Sequence, residues 1–352
     1  MDQPDEALFR ENERTTPVAD ERKYFQAGDL RLASGDMLPS VTVAYETWGK
    51  LNAGASNAVF VGHALSGDSH AVGWWDRIVG PGRAIDTERF FVVCANVLGG
   101  CRGTTGPASV APDGAPFGSR WPRVTIEDMT RLHVRLLHHL GISELAAGAG
   151  GSMGGMQVLE LALQFPMRKA WVTASAAKHT AMQIGFNEVG RQAIYRDPAF
   201  VGGDYGPGQG PAHGLAVARM LGHLTFLSEA SFERKFGRNK RPSESGEQFE
   251  VASYLNYQGD KFVQRFDANS LLSLTTALDA YEFVPTEPLR TEFLLTSFAS
   301  DWIYPSFLSE ELAQTLAPYA QVTHVVLPSP LGHDAFLLDD VEQAEAVRNF
   351  LQ

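Results

Sequence analysis

The stretch Gly150-Gly151-Ser152-Met153-Gly154-Gly155 leaves a chain few ways to fold around it. It carries G-x-S-x-G through Gly150, Ser152 and Gly154. It joins a short small-residue run, Ala146 to Gly151, to a segment of helical apolar spacing, Met153 to Phe165, that Pro166 stops. A serine in a tight turn between strand and helix needs strained backbone angles, and glycines two positions either side let the two elements approach without side-chain clashes. Such a turn lifts the hydroxyl out of the sheet and aims the first N–H groups of the helix at a substrate oxygen. At roughly 7% Gly and 7% Ser, a chain of this length yields ~0.1 such matches by chance. The string is neither G-x-G-x-x-G nor G-x-x-x-x-G-K-(S/T), so a phosphate-binding turn is the poorer reading.

Strand-like and helix-like segments alternate on both sides of this turn. Val41 to Trp48, Asn57 to Val61 and Phe90 to Asn96 read as strands, and the last two open into Gly-containing loops. From Thr125 to Leu140, Ile126, Met129, Leu132, Leu136, Leu137 and Leu140 recur at helical spacing, with Thr125 as cap and Glu127 and Asp128 in the first turn. That alternation predicts an α/β fold with a mostly parallel central sheet and helices on both faces. After about residue 180 the rhythm changes. Gly202 to Gly214 reads as a loop, helical patterns follow, and the charged tract Arg234 to Glu250 separates them. Strand-like runs resume near Glu292, one ending at Asp301 and a second ending before Gly332-His333, and Asp340 to Leu351 reads as a last helix. Residues 1–20 are expected to form a flexible lead-in, 21–180 and 289–352 one α/β core, and 181–288 a helical insertion.

Composition narrows the class. With 41 acidic against 29 basic residues among 352, the formal charge is -12, which disfavours nucleic-acid binding. Cys94 and Cys101 are too few for a disulfide scaffold and fit a reducing compartment. No apolar run reaches membrane-span length, and the first twenty residues lack a secretory or transit pattern, so a soluble cytoplasmic protein is expected.

A serine at its ordinary pKa is a poor nucleophile and needs a base and an orienting carboxylate. His324 is flanked by Thr323 and Val325 inside an apolar run and reads as a strand residue. His333 follows that run beside Gly332, and Asp301 ends another. The order Ser152, Asp301, His333 is that of the α/β hydrolases and differs from the chymotrypsin and subtilisin orders. An oxyanion hole would draw one N–H from Met153 and a second from the loop His63 to Asp68, with Leu65 as donor.

Taken together, the motifs resemble the homoserine O-acetyltransferase family, acyltransferases built on the α/β-hydrolase fold. The resemblance runs from about Tyr24 to the C-terminus. It rests on AYETWG (from Ala44), GHALSGDSH (from Gly62), NVLGGCRGTTGP (from Asn96), GGSMGGMQ (from Gly150), YLNYQGDKFVQRFDANS (from Tyr254) and GHDAFL (from Gly332). It implies ping-pong acetyl transfer from acetyl-CoA to the hydroxyl of L-homoserine through acyl-Ser152, at the start of methionine biosynthesis, with no metal or prosthetic group. It also implies that 181–288 forms a lid that narrows entry to the site and supplies a homodimer interface. Arg219 would hold the substrate carboxylate, for which a guanidinium is well suited, and Asp334 the ammonium. The chain departs from the family at Phe226, where Tyr is frequent, and at Ser66, where Thr is common. Arg102 occupies a variable position and is read as favouring acetyl. The rival readings are a serine O-acetyltransferase, a homoserine O-succinyltransferase, a deacetylcephalosporin C acetyltransferase, an esterase with water as acceptor, or a non-enzymatic member.

Overall fold

The computed structural model describes residues 22–243, 246–338 and 341–352, so the lead-in expected over 1–20 lies outside the described residues. Eight strands form one sheet: β1 (Lys23–Arg31), β2 (Met37–Trp48), β3 (Ala58–Gly62), β4 (Phe91–Ala95), β5 (Leu145–Gly151), β6 (Met167–Thr173), β7 (Glu292–Phe298) and β8 (Val322–Leu327). Their spatial order is β1-β2-β4-β3-β5-β6-β7-β8. β2 runs antiparallel to both β1 and β4, and every other neighbouring pair is parallel. Alternation along the strands divides the core in two. Phe60 and Val93 pack into one apolar cluster while Val59, Val61 and Val92 pack into the other. Both faces of the central strands are therefore buried, as parallel strands with crossover helices require.

Nine helices of seven residues or more accompany the sheet among the described residues: α1 (Ile126–His139), α2 (Met153–Gln164), α3 (Ala181–Tyr195), α4 (Ala212–Phe226), α5 (Glu229–Lys235), α6 (Glu250–Val263), α7 (Ala268–Ala280), α8 (Ser306–Leu316) and α9 (Val341–Leu351). α1 starts where the sequence predicts. The Thr125 side chain accepts from the Asp128 N–H, and the Asp128 carboxylate accepts from the Thr125 N–H. The other Asp128 oxygen accepts from the Ala33 N–H at 2.7 Å, pinning the β1–β2 turn to this helix. No helix among the described residues is long and apolar enough to cross a membrane.

Several local expectations are corrected. Gly214 belongs to α4 and not to a loop. A Cβ there would lie 2.4 Å from the Ala193 carbonyl oxygen, so this glycine serves the close approach of α3 and α4. The charged tract 234–250 holds a hairpin, Lys240–Ser243 with Gly246–Phe249, and not only a linker. β1, β6 and α8 carry no distinct sequence signal. In β6, Arg168 and Lys169 interrupt the apolar run just after the helix-stopping Pro166. α3 to α7 all lie between β6 and β7.

Candidate active site

Ser152 occupies the turn between β5 and α2 with φ 56° and ψ −125°, a conformation that side chains other than glycine rarely adopt. Packing holds it there. Its N–H donates to the Thr173 carbonyl at 3.1 Å, and its own carbonyl accepts from the Ser175 hydroxyl at 2.9 Å. The flanking glycines are needed because backbones cross: a Cβ on Gly154 would stand 2.1 Å from the Gly62 oxygen, and one on Gly150 would stand 2.2 Å from the Gly154 oxygen. The end of β3 thus rests against the first turn of α2.

Asp301 follows β7, and His333 follows β8 in the short helical turn Gly332–Asp334. Ser300 ties the two loops together: its hydroxyl donates to the Ser329 carbonyl at 2.6 Å and accepts from the Gly332 N–H at 2.9 Å. His333 Nδ1 lies 2.7 Å from Asp301 Oδ2. A carboxylate only accepts, so the proton sits on Nδ1 and leaves Nε2 as a proton acceptor. Burial alone would lower the His333 pKa. The charge and hydrogen bond of Asp301, with the Asp334 charge, more than offset it, and the net direction is upward. Tyr304 stacks on the imidazole, with ring centroids 5.0 Å apart and planes 22° apart, and Phe336 meets it edge-on. Ser152 and His333 face one cavity of about 760 Å³.

The two expected oxyanion donors lie on adjoining segments. Met153 opens α2, where the first N–H groups have no intrahelical partner. Leu65 lines the same cavity in the loop after β3. Gln157 fastens loop to helix, since its Nε2 donates to the carbonyls of His63 at 3.0 Å and Met153 at 3.3 Å.

Arg219 in α4 and Asp334 also line this cavity. The Arg219 guanidinium lies over the rings of Phe262 and Phe226, at 4.8 and 5.5 Å, and donates to the Ser66 hydroxyl at 3.1 Å. Its Nε–H is buried and finds no partner among the described residues. Burial and the Arg265 charge lower its pKa to about 10. The Asp334 pKa is raised to about 6, chiefly by burial, against the opposing charges of His333 and Arg219. One half-buried cation and one half-buried carboxylate thus line the cavity beside the Ser–His–Asp set, each shifted chiefly by desolvation. Arg102 also reaches the cavity, where it pairs with Asp68 at 3.3 Å. His324 lies within β8, bonded to Ser297 at 2.9 Å, and takes no part in the cavity.

Nothing in the spacing singles out Tyr304, His179 or Arg265, although all three line the cavity. Tyr304 carries a local clue in its position three residues after Asp301, where its N–H reaches the carboxylate.

A family model for the alpha/beta hydrolase fold matches residues 57–340. A homoserine O-acetyltransferase from Methanohalophilus mahii is 47% identical, over 96% of this chain and 74% of that protein. One from Mesorhizobium japonicum is 44% identical, over 97% of this chain and 95% of that protein. The chain belongs to the homoserine O-acetyltransferase family. Among solved structures, the Bacillus anthracis homoserine O-acetyltransferase superposes with a TM-score of 0.88 at 25% identity, over 94% of this chain and 97% of that one. Esterase E22 superposes with a TM-score of 0.86 at 29% identity, over 94% of this chain and all of that one. Within the homoserine O-acetyltransferase family, the Phe226 departure removes a hydroxyl but keeps an aromatic face, which here covers Arg219 and lies 6.2 Å from the His333 ring.

Proposed function

We propose that the protein is a homoserine O-acetyltransferase that moves the acetyl group of acetyl-CoA to the hydroxyl of L-homoserine by a ping-pong route, in the cytoplasm and at the start of methionine biosynthesis. The observation that carries this reading is the presence of two opposite charges, Arg219 and Asp334, in one cavity with Ser152. A hydrolase using water as acceptor has no need to hold two partly desolvated opposite charges beside its nucleophile. A zwitterionic amino alcohol satisfies both, its carboxylate on Arg219 and its ammonium on Asp334.

In the first half-reaction Ser152 Oγ attacks the thioester carbonyl while its proton passes to His333 Nε2. The N–H groups of Met153 and Leu65 hold the oxyanion, and the thiolate leaves with the proton from His333. Homoserine then gives its hydroxyl proton to His333 as its oxygen attacks the acyl group, and collapse returns that proton to Ser152. Asp301 keeps the imidazole in the required tautomer and stabilises its charged form. The segment 181–288 acts as a lid over the cavity and carries a homodimer interface, and residues 21–180 and 289–352 form the core beneath it. No metal or prosthetic group takes part in these steps.

The test is purified protein with acetyl-CoA or succinyl-CoA, presented with homoserine, serine or no acceptor, following CoA release and product mass. Acetyl-CoA with homoserine should give O-acetylhomoserine fastest. Release unaffected by any amino acid would leave the esterase reading standing in its place.

A further inference from the structure

The Leu65 N–H, the second oxyanion donor in the proposed reaction, belongs to the peptide plane that joins Ala64 to Leu65. The other edge of that plane is the Ala64 carbonyl, and two groups meet it. The Gly67 N–H donates to it at 2.9 Å, closing a turn over residues 64–67, and His63 Nδ1 lies 2.8 Å from it. No peptide bond among the described residues is cis. A trans peptide points its C=O and N–H in opposite directions, so holding the Ala64 carbonyl sets the direction of the Leu65 N–H.

The two partners of His63 fix its proton. The Val97 N–H, just beyond β4, donates to Nε2 at 3.1 Å. A backbone N–H only donates, so Nε2 carries no proton and the ring holds its one proton on Nδ1. The Ala64 carbonyl only accepts, which suits that tautomer and no other. Burial agrees, since His63 is 2% exposed. Desolvation lowers its pKa, against the raising effects of the Ala64 carbonyl and the Asp68 charge. The backbone of the same residue is fastened separately, its carbonyl accepting from Gln157 of α2 at 3.0 Å. α2 opens with Met153, the first expected donor. His63 thus ties the peptide of the second donor to the helix of the first.

We infer that His63 is a positioning residue for acyl transfer: its Nδ1–H holds the Ala64 carbonyl and so aims the Leu65 N–H at the substrate oxygen. A neutral imidazole suits the place because one ring offers an acceptor to Val97 and a donor to Ala64 at once. His63 keeps its proton throughout, and no bond forms or breaks at it. The inference rests on the Ser152 nucleophile and the Leu65 donor proposed above.

The experiment uses the full chain and two substitutions that separate the two contacts. His63→Asn offers an amide N–H near the place of Nδ1 and gives up the Val97 contact. His63→Gln offers an amide oxygen near the place of Nε2 and gives up the donor to Ala64. The p-nitrophenyl acetate burst reads acylation independently of any amino-acid acceptor, and thermal melts read the fold. His63→Gln should lose at least about tenfold in burst rate, toward the roughly 10²–10³ that removing an oxyanion donor costs, with the KM for acetyl-CoA within about twofold. His63→Asn should stay within about threefold of wild type in burst rate, whatever its melting temperature. Nitrogen NMR of histidine-labelled wild type needs neither variant to be active: the imidazole signal absent from His63→Asn should be the neutral Nδ1–H tautomer. A His63→Gln burst within about twofold of wild type, equal burst losses in the two variants, or an Nε2–H tautomer at His63 would overturn the inference. A burst that persists in Ser152→Ala would instead remove the nucleophile on which it rests, so the two failures are distinguishable.

Discussion

Asp301 divides its two carboxylate oxygens between the backbone and His333. Oδ1 accepts from the N–H groups of Ile303 and Tyr304, at 3.0 and 2.8 Å, while Oδ2 faces His333 Nδ1 at 2.7 Å. This division dictates the outcome of Asp301→Asn. The two backbone donors keep the amide oxygen and turn the NH2 toward Nδ1. His333 must then accept at Nδ1 and carry its proton on Nε2, where it cannot take one from Ser152. With Asp301 only 3% exposed, water cannot offer an alternative arrangement. The kcat of Asp301→Asn should fall about 10³–10⁴-fold with little change in melting temperature, as wrong-tautomer variants of such triads do. Steady-state kinetics with paired thermal melts checks this.

The raised His333 pKa sets the acid side of the activity profile. Attack requires the neutral imidazole, so activity is lost as pH falls through that pKa, and the ascending limb should lie above the ordinary value of 6.5. Asp334→Asn removes one of the charges that raise it, so its limb should move to lower pH. Because Asp334 titrates nearby, at about 6, the apparent value belongs to the pair. Burst rates measured from pH 5 to 9 decide it. A limb at the same pH in both proteins would show that the Asp334 charge does not reach His333.

Glycine at 154 is required by the backbone crossing at the elbow. In Gly154→Ala the new methyl would lie 2.1 Å from the Gly62 oxygen, and neither backbone can move without displacing Ser152. A loss of at least about 3 kcal/mol, or failure to fold, is expected. Gly185 on α3 is the contrast, with nothing within 4 Å of an added Cβ. Gly185→Ala should stabilise by up to about 1 kcal/mol through helix propensity. Urea unfolding of the two variants measures both effects.

The catalytic segment was legible in the sequence because its constraints are local. A G-x-S-x-G turn, the Thr125 cap and the apolar runs ending near Asp301 and Gly332 each depend on residues close in the chain, and the strands fall within a few residues of where the pattern puts them. The hydrogen bonds of His179 to Asp279 and Tyr304 at the cavity wall were not legible, because the three residues are separated by about a hundred residues and meet only through tertiary packing. Gly214 misled for a related reason: a loop glycine and a glycine at a helix crossing look alike until the facing helix is known. β6 stayed hidden because its charged residues, Arg168 and Lys169, follow a proline, which reads as a turn.

Arg219 separates the two half-reactions. It lines the cavity, and its guanidinium lies over the rings of Phe226 and Phe262 and donates to Ser66. Lysine keeps the charge but loses the planar fork and the stacking. In Arg219→Lys the KM for homoserine should rise by at least tenfold, while the p-nitrophenyl acetate burst stays within about twofold of wild type. Equal losses in both assays would mean that Arg219 supports the fold of the cavity and not the acceptor.

Asp334 should show that the cavity is built at the expense of stability. Its folded-state pKa of about 6 is above the ordinary 3.8, so the unfolded chain holds the carboxylate ionised more easily than the folded one. A group shifted this way favours the folded state fully below the unfolded pKa, and that advantage is lost as pH rises through about 6. At pH 7.5 the ionised carboxylate therefore destabilises the free enzyme, by an amount on the order of 2 kcal/mol. Asp334→Asn is nearly isosteric and carries no charge. It should melt at a higher temperature than wild type at pH 7.5, and the gain should shrink to about half by pH 5 and vanish only below the unfolded pKa of 3.8. The same variant should bind homoserine more weakly, since the ammonium loses its counter-charge. Thermal melts at the two pH values, with and without homoserine, test both halves. A variant that is stabilised equally at pH 5 and pH 7.5 would trace the gain to packing rather than to the buried charge.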